Sequence, residues 1–165
     1  MTAQDRIRLF ELASFLIAHR PQLDYPRDDV RGPLDAATWK ITTEAGMRRA
    51  INAGKTLCFD CSQSTTQLYR WAGLSDPNGL DYSHCGYTGT MLAHLKHYAK
   101  PALAKRGALV VFGPGTGEHV AMVLDPGDDP LLFSHGAAHV SGPIRLSVER
   151  TYHHRPVTFL NVSGL

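Results

Sequence analysis

Apolar positions recur at helical spacing over the first twenty residues, where Ile7, Phe10, Ala13 and Ile17 alternate with Asp5, Arg6, Arg8 and Glu11 until Pro21. Thr2 followed three residues later by Asp5 is a capping pattern, so the chain is expected to open with an amphipathic helix over 3–19. Residues 20–40 carry Pro21, Pro26, Gly32 and Pro33 among mixed charges, which fit neither the helical nor the strand period and predict a long surface connection. A second helix over 42–53 closes at Gly54. A third runs from Cys61 to Ala72, with Leu68, Trp71 and Ala72 on one side and Gly73 as its cap. Residues 74–88, rich in Gly, Asp, Ser and Asn, predict a loop; Met91, Leu92, Leu95, Tyr98 and Ala99 then mark one face of a fourth helix stopped by Pro101.

Beyond Pro101 the period shortens. Short β-rich runs at 109–112, 120–124, 131–134, 144–148 and 157–162 are separated by Gly, Pro and Asp clusters, which predicts an antiparallel meander of about five strands. Helices first and strands second is the order of an α+β protein, with the helices packed on the sheet. No repeat or linker divides the chain, so 1–165 is read as a single domain, with a helical part over 1–56 and a core over 57–165.

Composition narrows the function classes. With 165 residues and 43% hydrophobic content, the chain can bury a core without disulfides or a structural metal. Its 17 Lys+Arg against 15 Asp+Glu form no concentrated basic face, which argues against a dedicated nucleic-acid binder. Charges interrupt the first apolar stretch, so it reads as neither a signal peptide nor a membrane span. Three cysteines, an odd number, point to synthesis in the cytoplasm, where thiols stay reduced, and to at least one free thiol. Action outside the cytoplasm then requires an exit route other than a signal peptide.

Candidate chemistry begins at Leu57-Cys58-Phe59-Asp60-Cys61-Ser62, which places Cys61 at a helix start. The unpaired N–H groups and positive dipole end there favour a thiolate, with a pKa lowered from about 8.5 into the range of roughly 3.5–7.5 when an imidazolium is near. The same N–H groups can donate to an oxyanion. The plainer alternative is a buried structural cysteine. His119 opens the run His119-Val-Ala-Met-Val-Leu124, after Gly107-Ala-Leu-Val-Val-Phe112 and a loop over 113–118. With 125–130 as a hairpin loop, position 124 faces 131, which sets His119 opposite Gly136, give or take a residue, and makes His135 its near neighbour. A cysteine, a histidine base and a polar group that holds the histidine's tautomer form a nucleophile set.

These residues resemble the NlpC/P60 cysteine peptidases over about residues 57–162. The likeness lies in Asp60-Cys61-Ser62 opening a helix, the Gly-x-Leu-Val-Val-Phe run, His119-Val-Ala-Met-Val-Leu, a later strand ending in His135, and Arg150-Thr-Tyr-His-His-Arg155-Pro156 leading into a final strand. It implies a reduced papain-like α+β fold, with Cys61 as nucleophile, His119 as base and acid, and His135 as the orienting third residue. His139 and Asp125 stay open for that third role. Asp60 and Ser62 match positions that line the pocket for the substrate's amino end, although helix capping accounts for both equally well. Tyr82 and Tyr87, in the segment between the two motifs, are candidate walls of the substrate groove. Two departures from the family pattern, Gln63 in place of Gly and Ala108 in place of Asp, bear on bond specificity.

The resemblance implies cleavage of bacterial cell-wall stem peptides by a monomeric enzyme that needs no cofactor, no metal, no nucleic acid and no membrane insertion. A γ-D-glutamyl-diamino acid endopeptidase acting as a phage lysin is the expected form, and an amidase at the sugar–peptide junction is its closest rival. Other classes remain on the table: a thiol acyltransferase, an inactive wall-binding fold, a zinc module on Cys58, Cys61, His94 and His97, or a Cys58–Cys61 redox pair. About 32 residues separate the Cys and His pairs, against the dozen or so of a compact finger. Asp60 opposes thiolate formation in a redox pair.

Overall fold

A computed structural model describes residues 1–26, 36–137, 142–151 and 155–162. Helix α1 (Ala3–Ala18) starts at the expected capping box, in which the Thr2 hydroxyl accepts from the Asp5 N–H and the Asp5 carboxylate accepts from the Thr2 nitrogen. Its buried face is Leu9, Leu12, Ala13 and Leu16, while Ile7 is 43% exposed. The apolar ridge running from Ile7 through Phe10 to Ile17 therefore lies along the flank of the contact instead of at its centre.

Helix α2 (Glu44–Asn52) is capped by Thr43 and α3 (Cys61–Trp71) by Asp60. Gly54 and Gly73 follow them with φ of 73° and 72°, the left-handed geometry that ends a helix most cheaply at glycine. Nearly all of α3 is buried, including Ser62, Ser64, Thr65, Thr66 and Gln67. So polar a helix can sit in the interior because its side chains bond locally: Ser64 and Thr65 donate to the Cys61 carbonyl, Thr66 to that of Ser62, and Gln67 to that of Thr38. The one-sided face expected from Leu68 and Trp71 understates how completely α3 is enclosed.

The fourth helix is shorter than expected. Helix α4 (Thr88–His94) stops because Leu95 turns extended, at φ −90° and ψ 145°. The next two residues join the sheet. The connection over 20–40 likewise contains a strand, β1 (Leu23–Asp24), paired in parallel with β2 (Leu57–Cys58). Both differences have one cause: the pairing partner lies far along the chain, and a local period does not report it.

The large sheet comprises β3 (Lys96–His97), β4 (Leu109–Phe112), β5 (His119–Asp125), β6 (Leu131–His135), β7 (Pro143–Ser147) and β8 (Val157–Asn161). Its strands run in the order β3-β8-β4-β5-β6-β7, every neighbouring pair antiparallel. The fold is thus α+β with a six-stranded antiparallel sheet. The meander expected from sequence holds from β4 to β7, whereas β8 returns to the other side of β4 and accepts the unforeseen β3 at its free edge. A helical turn, α5 (Val148–Thr151), follows β7. Val111, Val120, Met122 and Phe133 pack with α1 and α3, while Val110, Phe112, Ala121 and Leu132 form a second cluster with Val148. Burial on both faces explains why β4 and β5 read as continuous apolar runs. Among the described residues no helix is long and apolar enough to cross a membrane.

Candidate active site

Cys61 is the first residue of α3, directly after its N-cap, and is 6% exposed. Asp60 fixes the helix start by accepting from the Gln63 N–H at 2.8 Å and from the Ser62 hydroxyl at 2.8 Å. The Cys61 sulfur lies against the backbone N–H groups of Val120 and Ser62 and against the Tyr25 hydroxyl. The N-terminus of α3 therefore meets the start of β5 at the residue after His119.

Burial, followed by the neighbouring Asp60 carboxylate, pushes the Cys61 thiol up to about 11, against the opposing pull of Val120, Tyr25 and Ser62. This overturns the expected low-pKa thiolate: desolvation outweighs the helix-terminal N–H groups. Burial also drives the imidazole of His119 down to about 4, although Asp60 pulls the other way. At neutral pH the pair rests as thiol and neutral imidazole.

His119 is 3% exposed, and its Nε2 lies 2.9 Å from the hydroxyl of fully buried Ser134. The β5–β6 register pairs Ala121 with Ser134 and Val123 with Leu132, so its extension sets His119 opposite Gly136, as the residue count predicts. Strand alternation then puts Ser134 on the same face as His119 and His135 on the other. His135 is stacked edge-on between Phe59 at 4.8 Å and Tyr25 at 5.5 Å, facing the helices. The group brought to the His119 ring is thus Ser134, where the sequence pointed to His135. Asp125 sits at the far end of β5, exposed and 3.5 Å from Arg106. His139 lies outside the described residues.

Tyr25 escaped the sequence reading. The β1–β2 register, Leu23 with Leu57 and Asp24 with Cys58, carries Tyr25 level with Phe59, two residues before Cys61. Its ring also covers Gly136, whose φ is 82° and where an added Cβ would collide with the Tyr25 ring. Gly136→Ala is therefore expected to strain the backbone and displace Tyr25 together, lowering stability by about 2–4 kcal/mol. A chemical-denaturation midpoint within error of the wild type would exclude that packing.

Asp60 also lines a cavity of about 280 Å³ with Trp39, Gln63, Ser83, His84 and Cys85, so capping and a place in a cleft coexist. Ser62 is buried and donates to Asp60. The Tyr82 hydroxyl donates to the Leu74 carbonyl at 2.7 Å and its ring faces the Arg70 guanidinium, so it is engaged within the fold. Tyr87, 51% exposed, caps α4, and its ring lies over Gly89 beside Thr116 in the loop leading to His119. Among the described residues, no three His, Cys, Asp or Glu side chains gather where they could hold a metal ion.

No family model matches the chain, and no solved structure does. The chain is 29% identical over 102 residues, 61% of its length, to Peptidoglycan endopeptidase RipB from two strains of Mycobacterium tuberculosis. It spans 38% of the length of those relatives.

Proposed function

We propose that the protein is a cysteine endopeptidase of bacterial peptidoglycan. The observation that carries this reading is the Cys61 sulfur at the mouth of α3, resting on the Val120 N–H next to buried His119. Similarity to a peptidoglycan endopeptidase supports the substrate class.

In the proposed reaction the neutral His119 imidazole, which strand alternation sets on the Ser134 face of the sheet, reaches around the start of β5 to take the Cys61 proton on Nδ1, while Nε2–H donates to the Ser134 hydroxyl. The sulfur attacks the amide carbonyl carbon, and the carbonyl electron pair moves onto oxygen. The Ser62 N–H and the Tyr25 hydroxyl, both beside the sulfur, are placed to stabilise that oxyanion. Collapse breaks the C–N bond, and the leaving nitrogen takes the proton from His119. Water, deprotonated by His119, then attacks the thioester, releasing the acid and restoring the thiol. Since the resting pair is neutral, proton transfer accompanies attack instead of preceding it.

The finer reading is a γ-D-glutamyl-diamino acid endopeptidase, with the substrate's amino end in the Asp60 cavity and Tyr87 beside the loop that leads to His119. Release as a phage lysin is the cellular setting attached to this chemistry and rests on it. Mass spectrometry of fragments released from peptidoglycan tests the bond: a new N-terminus at the diamino acid supports the reading, and a free muramoyl lactyl group would replace it with the amidase.

Ser134 enters this mechanism as a positioning residue. Ser134→Ala leaves the buried imidazole N–H without its acceptor, a cost of about 1–3 kcal/mol, so kcat is expected to fall about 5–150-fold. KM should hold and Ser134→Thr should recover part of the rate. A rise in KM with constant kcat would show that Ser134 serves substrate binding instead.

A further inference from the structure

A cavity of about 790 Å³ lies between the helical turn at residues 36–39, α2 and the approach to β2. Its charged lining among the described residues consists of Lys40, Arg49 and Lys55, and no carboxylate of those residues lines it. Among the described residues none of the three is ion-paired; nearby Glu44 is held by Arg8 and Arg48. All three are exposed, and the combined field of like charges around one cavity attracts an anion carrying several charges. Each cation comes from a different segment, and half-buried Ile41 with buried Ala50 and Leu57 lines the same cavity. Such spacing suits several oxyanions joined by aliphatic stems; a single small anion calls for donors that converge.

The cavity is tied to the active site. The Thr38 hydroxyl accepts from the Cys58 N–H at 3.0 Å, and the Thr38 carbonyl accepts from Gln67 of α3 at 3.1 Å. Ala37 and Thr38 line this cavity, while Ala36 and Trp39 of the same turn line the one that holds Asp60. One turn thus separates a basic cavity from an acidic one.

We propose that the basic cavity is a subsite for an acidic peptide, with carboxylates on Lys40, Arg49 and Lys55 and aliphatic stems on Ile41, Ala50 and Leu57. Only the identification of that peptide with wall substrate rests on the function proposed above. Calorimetric titration of the 165-residue Cys61→Ala protein with a pentaglutamate peptide, and separately with inorganic phosphate, tests it without turnover. The peptide is expected to bind at least tenfold tighter than phosphate, and to lose at least tenfold in affinity in a further Lys40→Ala/Arg49→Ala/Lys55→Ala variant. A matched Lys96→Ala/Lys100→Ala/Lys105→Ala control should keep its affinity. No binding, phosphate binding as tightly as the peptide, or equal losses in both triple variants each overturn the subsite. In protein with Cys61 intact, the cavity variant should raise KM for peptidoglycan several-fold at constant kcat; an unchanged KM beside intact pentaglutamate binding overturns only the link to wall substrate.

Discussion

Replacing Cys61 with Ala is expected to lower peptidoglycan hydrolysis by at least about 10³-fold, as for other nucleophile deletions in acyl-transfer enzymes. Turbidity loss of purified walls measures it. The side chain lost is small, and Asp60 still caps α3, so the thermal midpoint should move little. Activity retained in this variant would remove the thiol from the chemistry altogether. The raised thiol pKa adds a second readout. At pH 7 only about one thiol in 10⁴ is ionised when the pKa is near 11. Iodoacetamide should therefore label Cys61 slowly at neutral pH, with a rate that climbs tenfold per pH unit through pH 9. Fast labelling with a plateau below pH 7 would show a thiolate–imidazolium pair and overturn the neutral resting state.

His119→Gln is expected to cost at least about 10³-fold in kcat, because the proposed mechanism passes every proton transfer through its ring. Its stability effect has a definite sign. The folded imidazole titrates near 4 against 6.5 for the free group, so the unfolded chain binds more protons between those values. Stability is then full above pH 6.5 and falls as pH drops towards 4, by roughly 3 kcal/mol for a shift of this size. Urea midpoints measured from pH 7 to pH 4 should decline in the wild type and flatten in His119→Gln. Parallel declines in both proteins would assign the acid lability to other groups.

How far sequence reached depended on the range of each interaction. Thr2 with Asp5 and Asp60 with Gln63 are contacts three residues apart, and both caps were legible in the residue types alone. The hairpin register was legible by counting back from its loop, and Ala121 opposite Ser134 agrees with it. What counting missed was the face: adjacent residues on a strand point to opposite sides, so the same register that approaches His135 delivers Ser134 to His119. Tyr25 was hidden for a different reason. Its strand pairs with Leu57–Cys58 more than thirty residues later, and two-residue strands leave no period to detect. The thiol's raised pKa was illegible too, since it follows from the tertiary burial of α3 and not from its position at a helix end.

The depth of the sulfur also sets what this molecule leaves alone. If the thiol acts as proposed, a sulfur with so little of its surface open calls for a slender, extended strand, whereas the backbone of a folded protein is held in its own ladders and cannot thread down to it. On the proposed mechanism, neighbouring proteins and other copies of this chain would be spared by shape before any side-chain preference is consulted.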